Sequence, residues 1–120
     1  MLYTKSIQAP KESADGIRVS IMRKPRADYD LVIPGLAPSQ LLLDAYHENK
    51  INWDEYERAY LVEMRNNPDL NKLLEFIIEA SKIMDMTLLC WEDTPEQCHR
   101  RLIAELISEV SENKIEIVIK

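Results

Sequence analysis

Among 120 residues there are only two cysteines, two histidines, two glycines and one phenylalanine. So few cysteines rule out a disulfide framework. Two thiols without secretory context point to reduced cysteines and a cytoplasmic, intracellular protein. The opening residues, MLYTKSIQAP, lack the apolar core of a leader, and no apolar run approaches the roughly 20 residues that span a bilayer, so no membrane association is expected. Positive charge is also short. Fifteen Lys and Arg stand against 21 Asp and Glu, for a net charge of −6 and a pI near 4.9. Such a chain repels phosphate backbones, which counts against nucleic acid as a partner. There is no internal repeat and no low-complexity tract, and the length predicts a single domain over residues 1–120 with one modest core.

What is present reads as alternating strands and helices. LYTKSIQ (residues 2–8) is a first strand, and Asp15-Gly16 is a turn signal after it. Ile17, Val19 and Ile21 share one face of a second strand over 17–23. The stretch KPRADYDLVIPGLAPS carries three prolines, too interrupted for an element, and long loops in small domains often carry function. Ser39 can cap a helix running to about residue 49, and Asn52 with Glu55 forms a second N-terminal signature. In that second helix Trp53, Tyr56, Tyr60 and Met64 recur at helical spacing, a pattern that more often marks a core face than a ligand cage. Leu70, Leu73, Leu74 and Ile77 mark a third helix ending near Ile83. Residues 86–91 read as a strand buried on both faces, residues 95–112 as a helix, and Ile115, Ile117 and Ile119 as a last strand. The prediction is an α/β domain: a small, mostly parallel sheet of about four strands with helices on its faces, and three consecutive helices inserted between strands two and three.

Three of the four Cys and His residues fall within TLLCWEDTPEQCHRRLIAELI (87–107). Thr94, Pro95 and Gln97 make a capping box with a proline start, which puts the helix N-terminus at 95. Stepping back four residues from Leu102 and Ile103 places Cys98 and His99 on the sheet-facing side. Cys90 ends the preceding strand and Glu92 follows it. Ligands in open α/β sheets bind at the carboxyl ends of strands, beside helix N-termini, so Cys90, Glu92, Cys98 and His99 converge on that edge. Arg100 points to the flank and can reach over the rim. If the second strand is parallel, Arg23 and Arg26 arrive at the same edge, and these arginines beside a helix start would form an anion pocket.

The same residues carry a resemblance. LLCWEDTPEQCHR, with its Cys-x-Glu and downstream Cys-His-Arg, resembles the signature of the family designated domain of unknown function 488. DGIRVSIMRKPR, LAPSQLLLDAY and WDEYERAYLVEM resemble the order found in its YeaO-like branch, over roughly residues 1–110. That branch usually shows Trp-Pro-Arg where this chain has Lys24-Pro25-Arg26, and it often lacks the Cys-His-Arg. The resemblance implies a small intracellular α/β protein and supplies no reaction.

Each chemical reading has a plainer rival. Cys90 in a buried strand is more often core filler than nucleophile. Cys98 at a helix start beside His99 would have a lowered pKa, although neighbouring helical side chains diverge. Zinc is not expected, because Cys90 and Cys98 lie far apart for a ligand pair and joint ligation by Cys98 and His99 is awkward. Glu92 could orient His99 or accept a proton, or it could be a solvated loop residue. The leading expectation is a small anionic ligand, bearing phosphate or carboxylate, held by Arg23, Arg26, Cys90 and Arg100 at the edge between strand 86–91 and helix 95–112. Glu92, Cys98 and His99 would supply any catalysis; whether the protein is an enzyme stays open, and no cofactor or metal is expected. The alternative is an interaction module whose aromatic helix 52–66 docks on a partner or on a second copy.

Overall fold

Five short strands, all parallel, form the sheet in the computed structural model, which describes residues 1–26 and 28–120. The strands are β1 (Leu2–Ser6), β2 (Ile17–Ser20), β3 (Leu31–Val32), β4 (Met86–Cys90) and β5 (Ile117–Ile119), and their order across the sheet is β3-β2-β4-β1-β5. The helices are α1 (Gln40–His47), α2 (Trp53–Arg65), α3 (Leu70–Ile83) and α4 (His99–Val110). The predicted α/β class therefore holds. The sheet has one strand more than expected, and α1 to α3 lie between β3 and β4. Among the described residues no helix is long and apolar enough to cross a membrane.

Local chemistry accounts for most of these elements. Ser39 caps α1, its side chain accepting from the Leu42 N–H, and Asn52 and Glu55 form a reciprocal capping box on α2. Two elements depart from the local signals. β3 is only two residues long, and it exists because Asp30 N donates to Arg18 O at 2.7 Å and Ile33 N to Ser20 O at 2.9 Å. Two exposed residues before a proline leave no alternation to read.

The second departure is at α4, which begins at His99 rather than at 95. Cys98 is its N-cap residue, in extended conformation (φ −141°, ψ 142°). The Thr94-Pro95 start is overridden because Arg100 draws the carbonyls of Glu92 and Asp93 onto its guanidinium, holding residues 91–98 as a loop.

The sheet register makes the two faces unlike each other. Leu2, Met86 and Ile17 lie side by side, as do Thr4, Leu88 and Val19, and this side joins Tyr60, Leu74, Ile103 and Ile107 in the core. Residues one step out of phase point the other way. There Lys5 and Arg18, both buried, meet Asp15 of the 3₁₀ turn Ser13–Asp15. Lys5 Nζ lies 2.9 Å from Asp15 Oδ1, Arg18 pairs with Asp15 Oδ2, and the Glu12 N–H donates to the same carboxylate at 3.0 Å. Gly16 closes this turn at φ +64°, where a Cβ would sit 2.1 Å from the Asp85 carbonyl oxygen, so no other residue fits.

β2 and β4 are neighbours, yet the chain leaves β2 towards β3 and leaves β4 towards β5, in opposite directions across the sheet. That divergence opens a crevice at their carboxyl ends, where open α/β sheets place their ligands.

Candidate active site

At this crevice a cleft of about 490 Å³ is lined by Met22, Arg23, Lys24 and Arg26 after β2, by Cys90, Trp91 and Glu92 after β4, by Gln97, Cys98 and His99 at the start of α4, and by Tyr46, His47, Trp53 and Tyr56 from α1 and α2. Six of the seven residues expected from sequence are therefore brought together. The seventh, Arg100, is not on the wall.

Cys90 and His99 form the floor. Cys90 Sγ lies 3.2 Å from His99 Nδ1, and His99 Nε2 lies 2.7 Å from the carbonyl oxygen of Ile21. A carbonyl only accepts, so Nε2 carries a proton. In the neutral ring the lone pair then sits on Nδ1, aimed at the Cys90 thiol, and the ring is oriented to take that proton. The arrangement follows directly from topology: Ile21 directly follows β2 and Cys90 ends its neighbour β4, the two tied by Ile21 N to Leu89 O at 3.1 Å, and His99 bridges the two ends. Tyr60 packs against the imidazole at 5.5 Å between ring centres, and its hydroxyl donates to Leu36 O at 2.6 Å.

The electrostatics separate the two thiols, in the opposite sense to the sequence reading. Burial pushes the Cys90 thiol up, but the hydrogen bond from Cys98, the positive charge of Arg100 and the N–H groups of Trp91 and Glu92 outweigh it, and Cys90 ends below the usual thiol range. For Cys98 burial is again the largest influence, and donating to Cys90 adds to it, so its thiol is held well above that range. The surroundings thus favour ionisation of Cys90 over that of Cys98. The correction has a structural cause: with α4 starting at His99, Cys98 is a buried cap residue whose side chain makes no capping hydrogen bond.

Arg100 also departs from its expected place. It is fully buried, and its guanidinium donates from Nη1 to Glu92 O at 2.7 Å, from Nη2 to Asp93 O at 3.4 Å and from Nε to Lys120 O at 3.1 Å. It pins the loop 91–98 and lends its charge to Cys90; it is not a ligand of the cleft. Arg23 and Arg26 do reach the cleft. Arg23 Nε donates to Pro38 O at 2.6 Å, which anchors its stem on the wall, and the Arg26 guanidinium lies 4.2 Å from the centre of the Trp91 ring. Glu92 borders the cleft, but the group that orients His99 is the Ile21 carbonyl. No side-chain pattern announces a backbone oxygen, which is why sequence reasoning passed over it.

Cys90, Cys98 and His99 also bring their ligand atoms within 4.8 Å of one another, so His99 and Cys98 do converge despite being neighbours in sequence. The reason is again the helix start, because Cys98 lies just outside the helix and its side chain is free of the helical divergence. Three such groups could share one soft cation, one donor short of the four of a structural zinc site.

A sequence model described as the active DUF488-N3 subclade matches residues 2–111. The chain belongs to the DUF488 family. No curated protein and no solved structure matches it. In this DUF488 protein the matched span contains every residue of the cleft, from Met22 to His99.

Proposed function

We propose that this DUF488 protein is a thiol-dependent catalyst acting on a small anionic ligand, with Cys90 as nucleophile and His99 as its base. The observation that carries this reading is the contact of Cys90 Sγ with His99 Nδ1, the ring held from behind by the Ile21 carbonyl, on the floor of a cleft rimmed by Arg23, Lys24 and Arg26. A cysteine paired with an imidazole that is itself oriented by a third group is the recurring arrangement of an activated nucleophile. His99 Nδ1 is placed to take the Cys90 thiol proton as the sulfur attacks. The cleft volume lies in the range of small-molecule sites, and its Tyr46, Trp53 and Tyr56 wall suits a planar body whose anionic end meets the arginines. The description of the matched subclade as active agrees with this reading. Tyr56 and Tyr60 of α2 are buried, so these two aromatic rings are not free to dock on a partner.

Two alkylating reagents of similar size, one neutral and one anionic, test the proposal. Iodoacetamide is neutral and iodoacetate is an anion, so their relative rates at Cys90 report the field of the cleft. Compared with a free thiol in solution, native protein is expected to favour iodoacetate by about tenfold, the equivalent of roughly 1.4 kcal/mol and close to the lower end for one hydrogen bond to a charged group. Arg23→Gln together with Arg26→Gln should erase that preference. A wild-type ratio equal to that of the free thiol would remove the anion from the proposal.

A further inference from the structure

The nucleophile reading leaves Cys98 without a task, although it lies on the same cleft floor. Its Sγ is within 4.8 Å of both the Cys90 sulfur and the nearer His99 nitrogen. Neither cysteine is in a disulfide, and both line the cleft although both are buried. Cys98 closes a loop, residues 91–98, that contains no helix or strand, while Cys90 is fixed at the end of the central strand. Both thiols therefore face one floor, Cys90 from the strand end and Cys98 from a loop that Arg100 anchors at Glu92 and Asp93. A disulfide needs its sulfurs about 2.05 Å apart. Closing that gap calls for rotation of the Cys90 and Cys98 side chains towards each other.

We infer that Cys98 is the resolving thiol of a dithiol–disulfide couple with Cys90, and that its oxidising substrate is a small disulfide bearing carboxylates. The inference rests on the reading of Cys90 as the nucleophile. In the first step the Cys90 thiolate attacks one sulfur of the substrate. A Cys90–substrate S–S bond forms, the substrate S–S bond breaks, and the departing thiolate takes the proton from the His99 imidazolium. His99 is then neutral, with Nδ1 free to accept. In the second step it takes the Cys98 proton as the Cys98 sulfur attacks Cys90 Sγ. The Cys90–Cys98 bond forms, the mixed disulfide breaks, and His99 passes its proton to the second departing thiolate. The protein dithiol has lost two electrons, and one substrate disulfide has become two thiols. The division of roles agrees with the electrostatics: attack is favoured from the thiol with the greater thiolate fraction, and the protonated partner acts only when a base is freed beside it. Arg23, Lys24 and Arg26 on the rim supply the positive field that carboxylates require.

The test is exposure of the whole native protein, with a chelator present, to oxidised glutathione at neutral pH, followed by intact mass and peptide mapping. Both cysteines fall between Lys82 and Arg100, on one tryptic peptide, so the wild-type protein alone gives a reading. The expected product is that peptide lighter by two hydrogens, reached through a transient glutathione adduct. In Cys98→Ser the adduct on Cys90 should persist, at a level at least tenfold above wild type, and Cys90→Ser should form neither product. An adduct that accumulates equally in wild type and Cys98→Ser overturns the resolving role and leaves the nucleophile intact. If no adduct forms in either protein, the nucleophile reading falls with it.

Discussion

Native protein carrying Cys90→Ser is expected to lose its fast-reacting thiol altogether, while Cys98→Ser keeps it. At neutral pH the iodoacetamide rate should fall on the order of 100-fold in the first variant, because reactivity follows the thiolate and the surviving Cys98 is held protonated. Denaturation should restore ordinary reactivity to whichever cysteine remains. The assignment of roles to the two cysteines stands or falls on this contrast. Sequence alone favoured Cys98, on the reasoning that a helix N-terminus lowers a thiol pKa. The structure starts the helix at His99, four residues later than the sequence signal, leaves Cys98 buried, and places the positive charge of Arg100 and two backbone N–H groups at Cys90. Equal native rates for the two single variants would contradict the assignment.

Asp15→Asn is expected to cost about 3–5 kcal/mol, the usual penalty for removing one partner from a buried ion pair. Asp15 accepts from Lys5, Arg18 and the Glu12 N–H, and Lys5, Asp15 and Arg18 are all buried. Without the carboxylate, two cations stay in the sheet face with only Glu12 and backbone carbonyls to meet them. Against a domain stability of about 5–15 kcal/mol this is a large fraction, and the melting temperature should drop by roughly 10 °C or more. The sign of the pH dependence follows from the shifts. Burial pushes the Asp15 carboxyl up, but Lys5, the Glu12 N–H and Arg18 outweigh it and hold the carboxyl below its ordinary value. Its contribution is therefore present above the unfolded carboxylate pKa of about 3.9 and is lost as pH falls through the still lower folded value. Lys5 is opposed by burial and raised by Asp15 and Glu12, so its contribution is full below about pH 10.4 and fades as pH rises through the folded value. Replacing Lys5, Asp15 and Arg18 together by apolar residues of similar volume should be milder than Asp15→Asn alone. A melt of Asp15→Asn within a degree of wild type would show that the network is not what holds this face of the sheet.

Short-range patterns made much of this fold legible. The caps at Ser39 and Asn52, the alternation of Ile17, Val19 and Ile21, and the apolar run ending at Cys90 are all decided within a few residues, and the structure keeps each of them. The departures all have long-range causes. β3 is held by partners on β2 rather than by its own composition. The start of α4 is set by Arg100, whose three acceptors come from the loop before it and from Lys120 at the far end of the chain. An arginine in the first turn of an amphipathic helix reads as a surface residue, and only the tertiary structure shows it fully buried. The candidate site was legible as a neighbourhood, because a strand end and a helix start must meet. Its wiring was not, since the group that orients His99 is a backbone oxygen 78 residues away in sequence.

The pH dependence of Cys90 alkylation, in wild type and in His99→Gln, tests the central claim most directly. The charged and titratable groups around the sulfur are His99, Cys98 and Arg100 from α4 and its cap, Glu92 from the loop, Arg23, Lys24 and Arg26 after β2, and Tyr56 and Tyr60 of α2. Both tyrosines are held well above their ordinary values, first by burial, so they stay neutral through the range of interest. If Cys90 and His99 act as a pair, the wild-type rate should reach its plateau at a lower pH than that of a free thiol, whose pKa is about 8.5. In His99→Gln the rise should move upward by at least about one unit, a tenfold loss of rate on the acid side. A His99→Gln profile that overlays the wild type would contradict the account, because Cys90 would then owe nothing to the imidazole beside it.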